Sequence, residues 1–118
     1  MTEIAKALAA FYGSFGIPAY TEDSVPDDVT LPYITYTVPK SEVFSGATHQ
    51  ARVWYEGTGY AAVSAKADEI IAAIGQGVRL KAGRGYVCIY PGTPLAQMQP
   101  ADDTTRIVYL NLELRSYV

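Results

Sequence analysis

Apolar side chains recur at helical spacing in two segments of the chain. The first segment is residues 2–12, and the second is residues 58–74. The apolar stripe of the second segment comprises Tyr60, Val63, Ala67, Ile70, Ile71 and Ile74. Thr2 and Thr58 stand where a helix cap belongs, since a hydroxyl oxygen can accept a hydrogen bond from a free backbone N–H of the first turn. We therefore predict two amphipathic helices over these two ranges.

Elsewhere the apolar pattern changes to the two-residue alternation of β-strands. It is clearest in residues 49–56 and in the final segment 104–116, whereas residues 33–38 are rich in β-branched and aromatic side chains. Three shorter segments are also predicted to be strands: residues 17–21, 78–81 and 86–90. Residues 22–32 and 91–103 are predicted to be loops because they are rich in proline or in acidic residues, and residues 40–48 are predicted to form a loop or a hairpin arm.

The order of these elements predicts an α+β fold. It reads α-β-β-β-α-(β)-β-β, where the bracketed strand is residues 78–81. Because most connections are short, we expect a mainly antiparallel sheet of about 5–6 strands with two helices packed on one face. A length of 118 residues is typical of one domain, so we expect residues 1–118 to form a single domain.

Several large apolar side chains fall outside the predicted core pattern. One face of the last strand comprises Val108, Leu110, Leu112 and Leu114. Tyr109 lies on the other face, Trp54 lies on the more polar face of its strand, and Val43 and Phe44 fall in a predicted loop. Trp54 and Tyr109 are core residues if helices cover both sheet faces and interface residues if one face is open, and the sequence supports both equally. Large apolar groups outside a core often mark protein contacts, so these four residues are candidate interface positions.

Composition excludes several classes of protein. Hydrophobic residues make up 49% of the chain and charged residues 18%, which excludes intrinsic disorder. We find no run of about 20 apolar residues, as a membrane span needs. The segment Met1–Lys6 lacks the layout of a signal peptide, and the single cysteine, Cys88, allows no intrachain disulfide. Both features favour synthesis in a reducing cytoplasm.

The charge is unevenly distributed along the chain. The net charge is −3, but residues 1–60 hold three basic and seven acidic residues, while residues 61–118 hold six basic and five acidic residues. This polarity suits contact between unlike faces of partner subunits, and it also arises by chance. The one basic cluster, Arg79, Lys81 and Arg84 beside Tyr86, is interpreted as a solvated rim rather than a phosphate site, because the overall charge is acidic.

Candidate chemistry is sparse. Residues 57–62 match G-x-G-x-x-A between a strand and a helix, as in dinucleotide-binding folds. The preceding strand alternates with charged residues, however, and no acidic residue follows about 20 positions later, so a flexible turn before a helix is favoured. His49 has no acidic neighbour in sequence, and Cys88 lies between apolar residues, which is typical of an inert buried thiol.

Residues 22–28 hold four acidic residues without the ligand spacing of a calcium loop, which favours a solvated loop. One histidine and one cysteine do not supply the ligands of a standard zinc site. We therefore expect no enzymatic activity, no cofactor and no metal ion.

Short phrases spread over nearly the whole chain carry a resemblance to a known family. They are Gly16-Ile17-Pro18-Ala19-Tyr20, Val25-Pro26, Leu31-Pro32-Tyr33-Ile34-Thr35-Tyr36, Val53-Trp54-Tyr55, Ile70-Ile71-Ala72-Ala73-Ile74 and Arg106-Ile107-Val108-Tyr109-Leu110-Asn111-Leu112-Glu113-Leu114. In this order and spacing the chain resembles the tail-terminator and minor capsid (tail-completion, head–tail joining) proteins of long-tailed phages, relatives of the phage lambda tail terminator.

The resemblance implies a structural role in the virion. Such proteins form a ring, often a hexamer, that caps the tail tube and joins it to the head connector, while DNA passes through the hole without specific binding. The family supplies no catalytic motif, and its assembly loop corresponds by position to residues 40–48. The acidic net charge suits a channel that must not hold phosphates. The alternative is a small ligand-binding or regulatory α+β domain, with a nucleotide at the Gly57–Gly59 turn or a ligand near His49.

The loop assignment generates a first prediction. Phe44→Asp is expected to disturb assembly and leave the monomer folded, because a charge in an apolar contact is costly while a loop residue contributes little to the core. Light scattering measures the assembly, and a thermal melt reports the fold. Unchanged assembly of a folded variant would remove Phe44 from the interface.

Overall fold

A computed structural model describes residues 2–40 and 46–117 of the chain. Helix α1 (Glu3–Tyr12) begins at Thr2, whose hydroxyl oxygen accepts a hydrogen bond from the N–H of Ala5 at 3.0 Å, as predicted. A short 3₁₀ turn (Gly13–Phe15) follows it directly. The buried side chains of α1 are Ile4, Leu8 and Tyr12. Their spacing places them on one stripe, which faces the core.

Helix α2 (Ala61–Ile74) begins three residues later than predicted. Its N-cap is Tyr60, without a side-chain cap hydrogen bond, so the prediction that Thr58 caps this helix is wrong. The preceding turn is tied to another strand instead, because the N–H of Gly57 donates to the carbonyl of Thr104 at 2.7 Å. The buried side chains of α2 are Val63, Ala67, Ile70 and Ile74, all within the predicted stripe.

Six strands of the described residues form one sheet. They are β1 (Ala19–Thr21), β2 (Tyr33–Tyr36), β3 (Ala47–Glu56), β4 (Val78–Ala82), β5 (Gly85–Pro100) and β6 (Thr105–Tyr117). Their spatial order is β1-β2-β3-β6-β5-β4. The pair β1/β2 is parallel and every other pair is antiparallel. The predicted α+β class and order of elements are confirmed, and residues 78–82 form a full strand.

The core lies between one face of this sheet and both helices. Across the sheet, Ile34 pairs with Val53, and Val53 pairs with Val108, so the three side chains share one face. All three are buried in the same cluster as the apolar stripes of α1 and α2. The leucines predicted for one face of the last strand, Leu110, Leu112 and Leu114, belong to this cluster as well. Both helices therefore pack on one face, as expected.

The segment 91–103, predicted to be an exposed loop, is mostly strand. β5 continues to Pro100 and pairs with β6 on one side only, because its pairing with β4 ends at Ile89. A proline is tolerated in such an edge segment, where its missing N–H breaks no ladder. A register shift between Pro91 and Ala96 places four residues of β5 opposite Asn111 alone. The proline signals of the sequence therefore marked an irregular edge strand rather than a loop.

Gly92 lies within this irregular stretch and is expected to tolerate no side chain. A Cβ at this position would lie 2.6 Å from the carbonyl oxygen of Asn111, which is backbone and cannot rotate away. We predict that Gly92→Ala lowers the free energy of unfolding by about 1–3 kcal/mol, the range of overpacking substitutions. Urea denaturation measures the change.

Gly59→Ala is the matched control. A Cβ there meets nothing within 4 Å, and Gly59 does not have a positive φ. Its effect on stability is expected to stay within about 0.5 kcal/mol, the usual range for surface positions. Equal effects of the two substitutions would contradict the packing described around Gly92.

Candidate interaction surface

The sheet face opposite the helices is the candidate interaction surface, and we call it the open face. Since both helices pack on the other side, no helix of the described residues covers the outward-facing residues of β3, β5 and β6 on this face. Trp54 and Tyr109 lie on it, because their neighbours Val53 and Val108 point into the core. Both side chains are half-buried. Of the two alternatives for these residues, the one that required helices on both faces is therefore excluded.

An aromatic ladder runs across one end of this open face. The ring of Tyr33 stacks on Trp54 with centroids 5.5 Å apart and planes at 17°, and Tyr20 meets Tyr33 edge-on at 6.1 Å. The indole N–H of Trp54 donates to the hydroxyl of Thr35 at 3.0 Å. Stacking and this hydrogen bond fix the three rings before any partner arrives, so a partner would bind them at a low entropic cost.

Arginine–tyrosine stacks continue the surface across the sheet. The guanidinium carbon of Arg52 lies 4.8 Å from the ring centroid of Tyr109, and that of Arg115 lies 5.7 Å from Tyr90. Arg52 also forms an ion pair with Glu22 at 3.0 Å, and its buried Nε has no hydrogen-bond partner within the described part of the chain. Tyrosine and arginine side chains in such pairs are enriched in protein interfaces.

The far end of the open face is both aromatic and cationic. Lys81, Tyr86 and Tyr117 are direct cross-strand partners on β4, β5 and β6, and Arg79 stacks on Tyr86 at 4.5 Å. Tyr86 is 42% exposed and Tyr117 is 53% exposed. We call these four residues the Tyr86 patch. The sequence indicated Arg79 and Lys81, with Arg84, as a basic cluster beside Tyr86, and it placed Tyr117 on the same face of the last strand as Tyr109. It did not bring Tyr117 together with Tyr86, because only the strand register does so.

A groove of about 330 Å³ adjoins the Tyr86 patch, and Cys88 and Tyr90 lie among its lining residues. Cys88 is 7% exposed, in line with the buried thiol that its apolar neighbours predicted. It lies on the open face between Arg79 and Arg115, its partners on the two adjacent strands. Val43 and Phe44, the other two candidate interface residues, lie outside the described residues.

The Gly57–Gly59 turn is already engaged within the chain. The Gly57 N–H, which a phosphate would need, donates to Thr104, and the guanidinium of Arg106 donates to the carbonyl of Thr58 at 3.2 Å. The helix starts only at Ala61. This geometry lends no support to a nucleotide at the turn, since a phosphate site depends on free backbone N–H groups at the start of a helix.

His49 lies in the core rather than in a cleft. It is fully buried, and its Nε2 is 2.7 Å from the hydroxyl of Tyr12 while its Nδ1 is 3.0 Å from the hydroxyl of Thr37. Burial lowers the pKa of His49 to about 4, and it raises the pKa of Tyr12 far above its usual value. With both ring nitrogens engaged, the neutral imidazole links α1 to the sheet.

Within residues 2–40 and 46–117, no three His, Cys, Asp or Glu side chains converge as a metal ion requires. Neither helix of the described chain is long and apolar enough to cross a membrane. Comparison with protein-family models, with curated proteins and with solved structures found no match.

The buried imidazole predicts a pH-dependent stability. His49 has a pKa of about 4 in the fold and about 6.5 when unfolded, so between these values the unfolded chain binds the extra proton. The free energy of unfolding is therefore expected to fall as the pH drops from 6.5 to 4, by on the order of 3 kcal/mol from this residue. Well above pH 6.5, where this residue is neutral in the unfolded chain as well, the contribution of His49 is constant.

His49→Gln provides the comparison, because an amide can hydrogen-bond in the same place without titrating. Both proteins are denatured at several pH values from 4.5 to 6. The free energy of unfolding of the wild type is expected to change with pH more steeply than that of the variant, by about 1 kcal/mol per pH unit. Parallel pH profiles would show that His49 does not titrate differently in the two states.

Proposed function

We propose that this chain is a non-enzymatic structural protein of a long-tailed phage virion. It assembles into a ring that caps the tail tube or joins the tail to the head connector. The resemblance implies that this ring is a hexamer. Its partners are copies of itself, the tail-tube protein and the connector, and it is made in the host cytoplasm before entering the virion. DNA passes through the ring without specific contacts.

The single observation that carries the proposal is the open sheet face. It displays a stacked aromatic ladder at one end, arginine–tyrosine stacks in the middle and two exposed tyrosines, Tyr86 and Tyr117, at the other end. Surfaces of this kind mark protein interaction sites, because tyrosine combines a large contact area with a low cost of immobilisation. A protein that acts through assembly requires such a face, whereas a small-molecule binder requires a concave site.

The sequence phrases support the same assignment. The phrase that includes Tyr33 and the phrase that includes Trp54 form neighbouring strands of the open face, where these two side chains stack. The net charge of −3 is compatible with a channel for DNA, since like charge repels the phosphates.

The ligand-binding alternative has less support from the geometry. The turn at Gly57 uses its N–H internally, and His49 is buried with both nitrogens engaged. Under this alternative, a nucleotide raises the melting temperature of the monomer, since any ligand of the native state stabilises it. Under our proposal, nucleotides leave the melting temperature unchanged.

Solution mass tests the proposal. Light scattering over a range of concentrations is expected to show a discrete oligomer, and negative-stain microscopy is expected to show closed rings. Trp54→Ala is expected to raise the protein concentration needed for assembly at least tenfold, because removing an aromatic anchor costs an interface about 2 kcal/mol or more. A thermal melt verifies that this variant is folded.

Tyr60→Ala is the control, since Tyr60 precedes α2, and its ring lies beside Arg106 away from the open face. It is expected to assemble as the wild type does. A strict monomer at every concentration would contradict a self-assembling ring. Rings that form equally well with Trp54→Ala would keep the ring and exclude the Trp54 end of the open face as its interface.

A further inference from the structure

The two edges of the sheet carry opposite charges. β1 and β4 are the edge strands, each paired on one side only. Directly after β1 comes the acidic segment, residues 22–28, which contains Glu22, Asp23, Asp27 and Asp28. The β4 edge carries Arg79 and Lys81 of the Tyr86 patch, and Arg84 follows in the next turn. The uneven charge of the sequence is therefore also a polarity of the folded sheet.

These two clusters are too far apart to neutralise one another within one chain. Measured along the sheet, six strands at about 4.8 Å spacing place the edges about 24 Å apart, whereas screening at physiological salt acts over about 8 Å. Asp27, Asp28 and Lys81 are exposed and form no ion pair with any described residue. Both clusters are thus available to a second molecule.

The Tyr86 patch offers more than charge. Tyr86 and Tyr117 are exposed aromatic side chains at facing positions of neighbouring strands, and the guanidinium of Arg79 stacks on Tyr86 at 4.5 Å. A stacked arginine beside exposed tyrosines has the composition of an interface hot spot, and its side chains lose little freedom on binding. A carboxylate-bearing segment is the complementary ligand, because arginine pairs strongly with carboxylates.

We propose that the Tyr86 patch of one copy binds the acidic segment of the next copy. The inference rests on the proposed function, because it names the contact by which the ring forms. The contact is head-to-tail: the two surfaces lie at opposite ends of one chain, and a two-fold dimer through either surface would place like charges together. Head-to-tail contacts generate closed rings when the rotation between copies closes.

A second copy suits the Tyr86 patch better than nucleic acid does. The chain as a whole is acidic, and its open face also carries Glu113 beside Arg115, so the basic area is small. Nucleic-acid surfaces usually neutralise several phosphates along an extended basic track. The acidic segment, by contrast, belongs to the same chain as the patch, so each patch has one acidic segment available in a neighbouring copy.

Charge reversal on each side tests the contact. The patch variant is Arg79→Glu with Lys81→Glu, and the segment variant is Asp27→Lys with Asp28→Lys. Each alone is expected to raise the concentration needed for assembly at least tenfold, because like charges then meet across the interface. An equimolar mixture of the two is expected to restore assembly, since each reversed surface then meets a complementary one in alternating order. Light scattering of the separate and mixed proteins measures this directly.

Two controls separate this contact from general charge effects. Asp68→Lys makes the same aspartate-to-lysine change at an exposed position of α2 and is expected to leave assembly unchanged. Wild-type assembly is expected to weaken at least tenfold between 50 and 500 mM salt, because screening weakens exposed charge pairs. The salt series uses the wild-type chain alone, so it remains informative if a variant fails to fold.

The outcomes distinguish this inference from the function on which it rests. Wild-type rings with unaffected reversal variants would overturn the inference and leave the ring in place. A wild type that never assembles would overturn both. A patch variant that assembles normally but loses retention of a single-stranded oligonucleotide would assign the patch to nucleic acid and overturn the inference.

Discussion

The buried row of β6 is the constraint on which the rest of the structure depends. β6 pairs with β3 on one side and β5 on the other, and Val108, Leu110, Leu112 and Leu114 point from it into the core beneath the helices. A slip of one residue would expose all four and bury Tyr109 with the charged residues of the other face. The register of the neighbouring strands, and therefore the side on which Trp54 lies, follows from this row.

One consequence is a sheet face that must be compatible with water in the isolated chain. It is built mainly from aromatic rings and arginines, with the aliphatic Ile107 buried opposite Trp54, and the rings cover one another by stacking, as those of Tyr33 and Trp54 do. Arginine side chains also shield the rings from water, because the guanidinium lies over a ring while its charge stays hydrated, as that of Arg52 does over Tyr109. Such a face is stable in the monomer and still offers a partner a rigid apolar area.

Elements set by local sequence could be predicted, whereas those set by distant contacts could not. The Thr2 cap of α1 and the alternation of β6 depend on residues close in sequence, and both predictions are confirmed. The strand through residues 91–100 was missed, because β6 stabilises it against its own prolines. The contact of Tyr117 with Tyr86 could not be predicted for a related reason, because it exists only through the pairing of β5 with β6.

Charge at the sheet edges connects the fold to the proposed assembly. An uncharged edge strand invites pairing with any other strand, and charged side chains or proline at the edge suppress this. Here β1 is three residues long and follows Pro18, while β4 carries Arg79 and Lys81, so two β4 edges repel each other. In the proposed ring, the same charges attract the acidic end of another copy. The charge at the sheet edges thus opposes the pairing of two like edges. In the proposed ring, it also favours the one orientation in which a basic edge meets an acidic one.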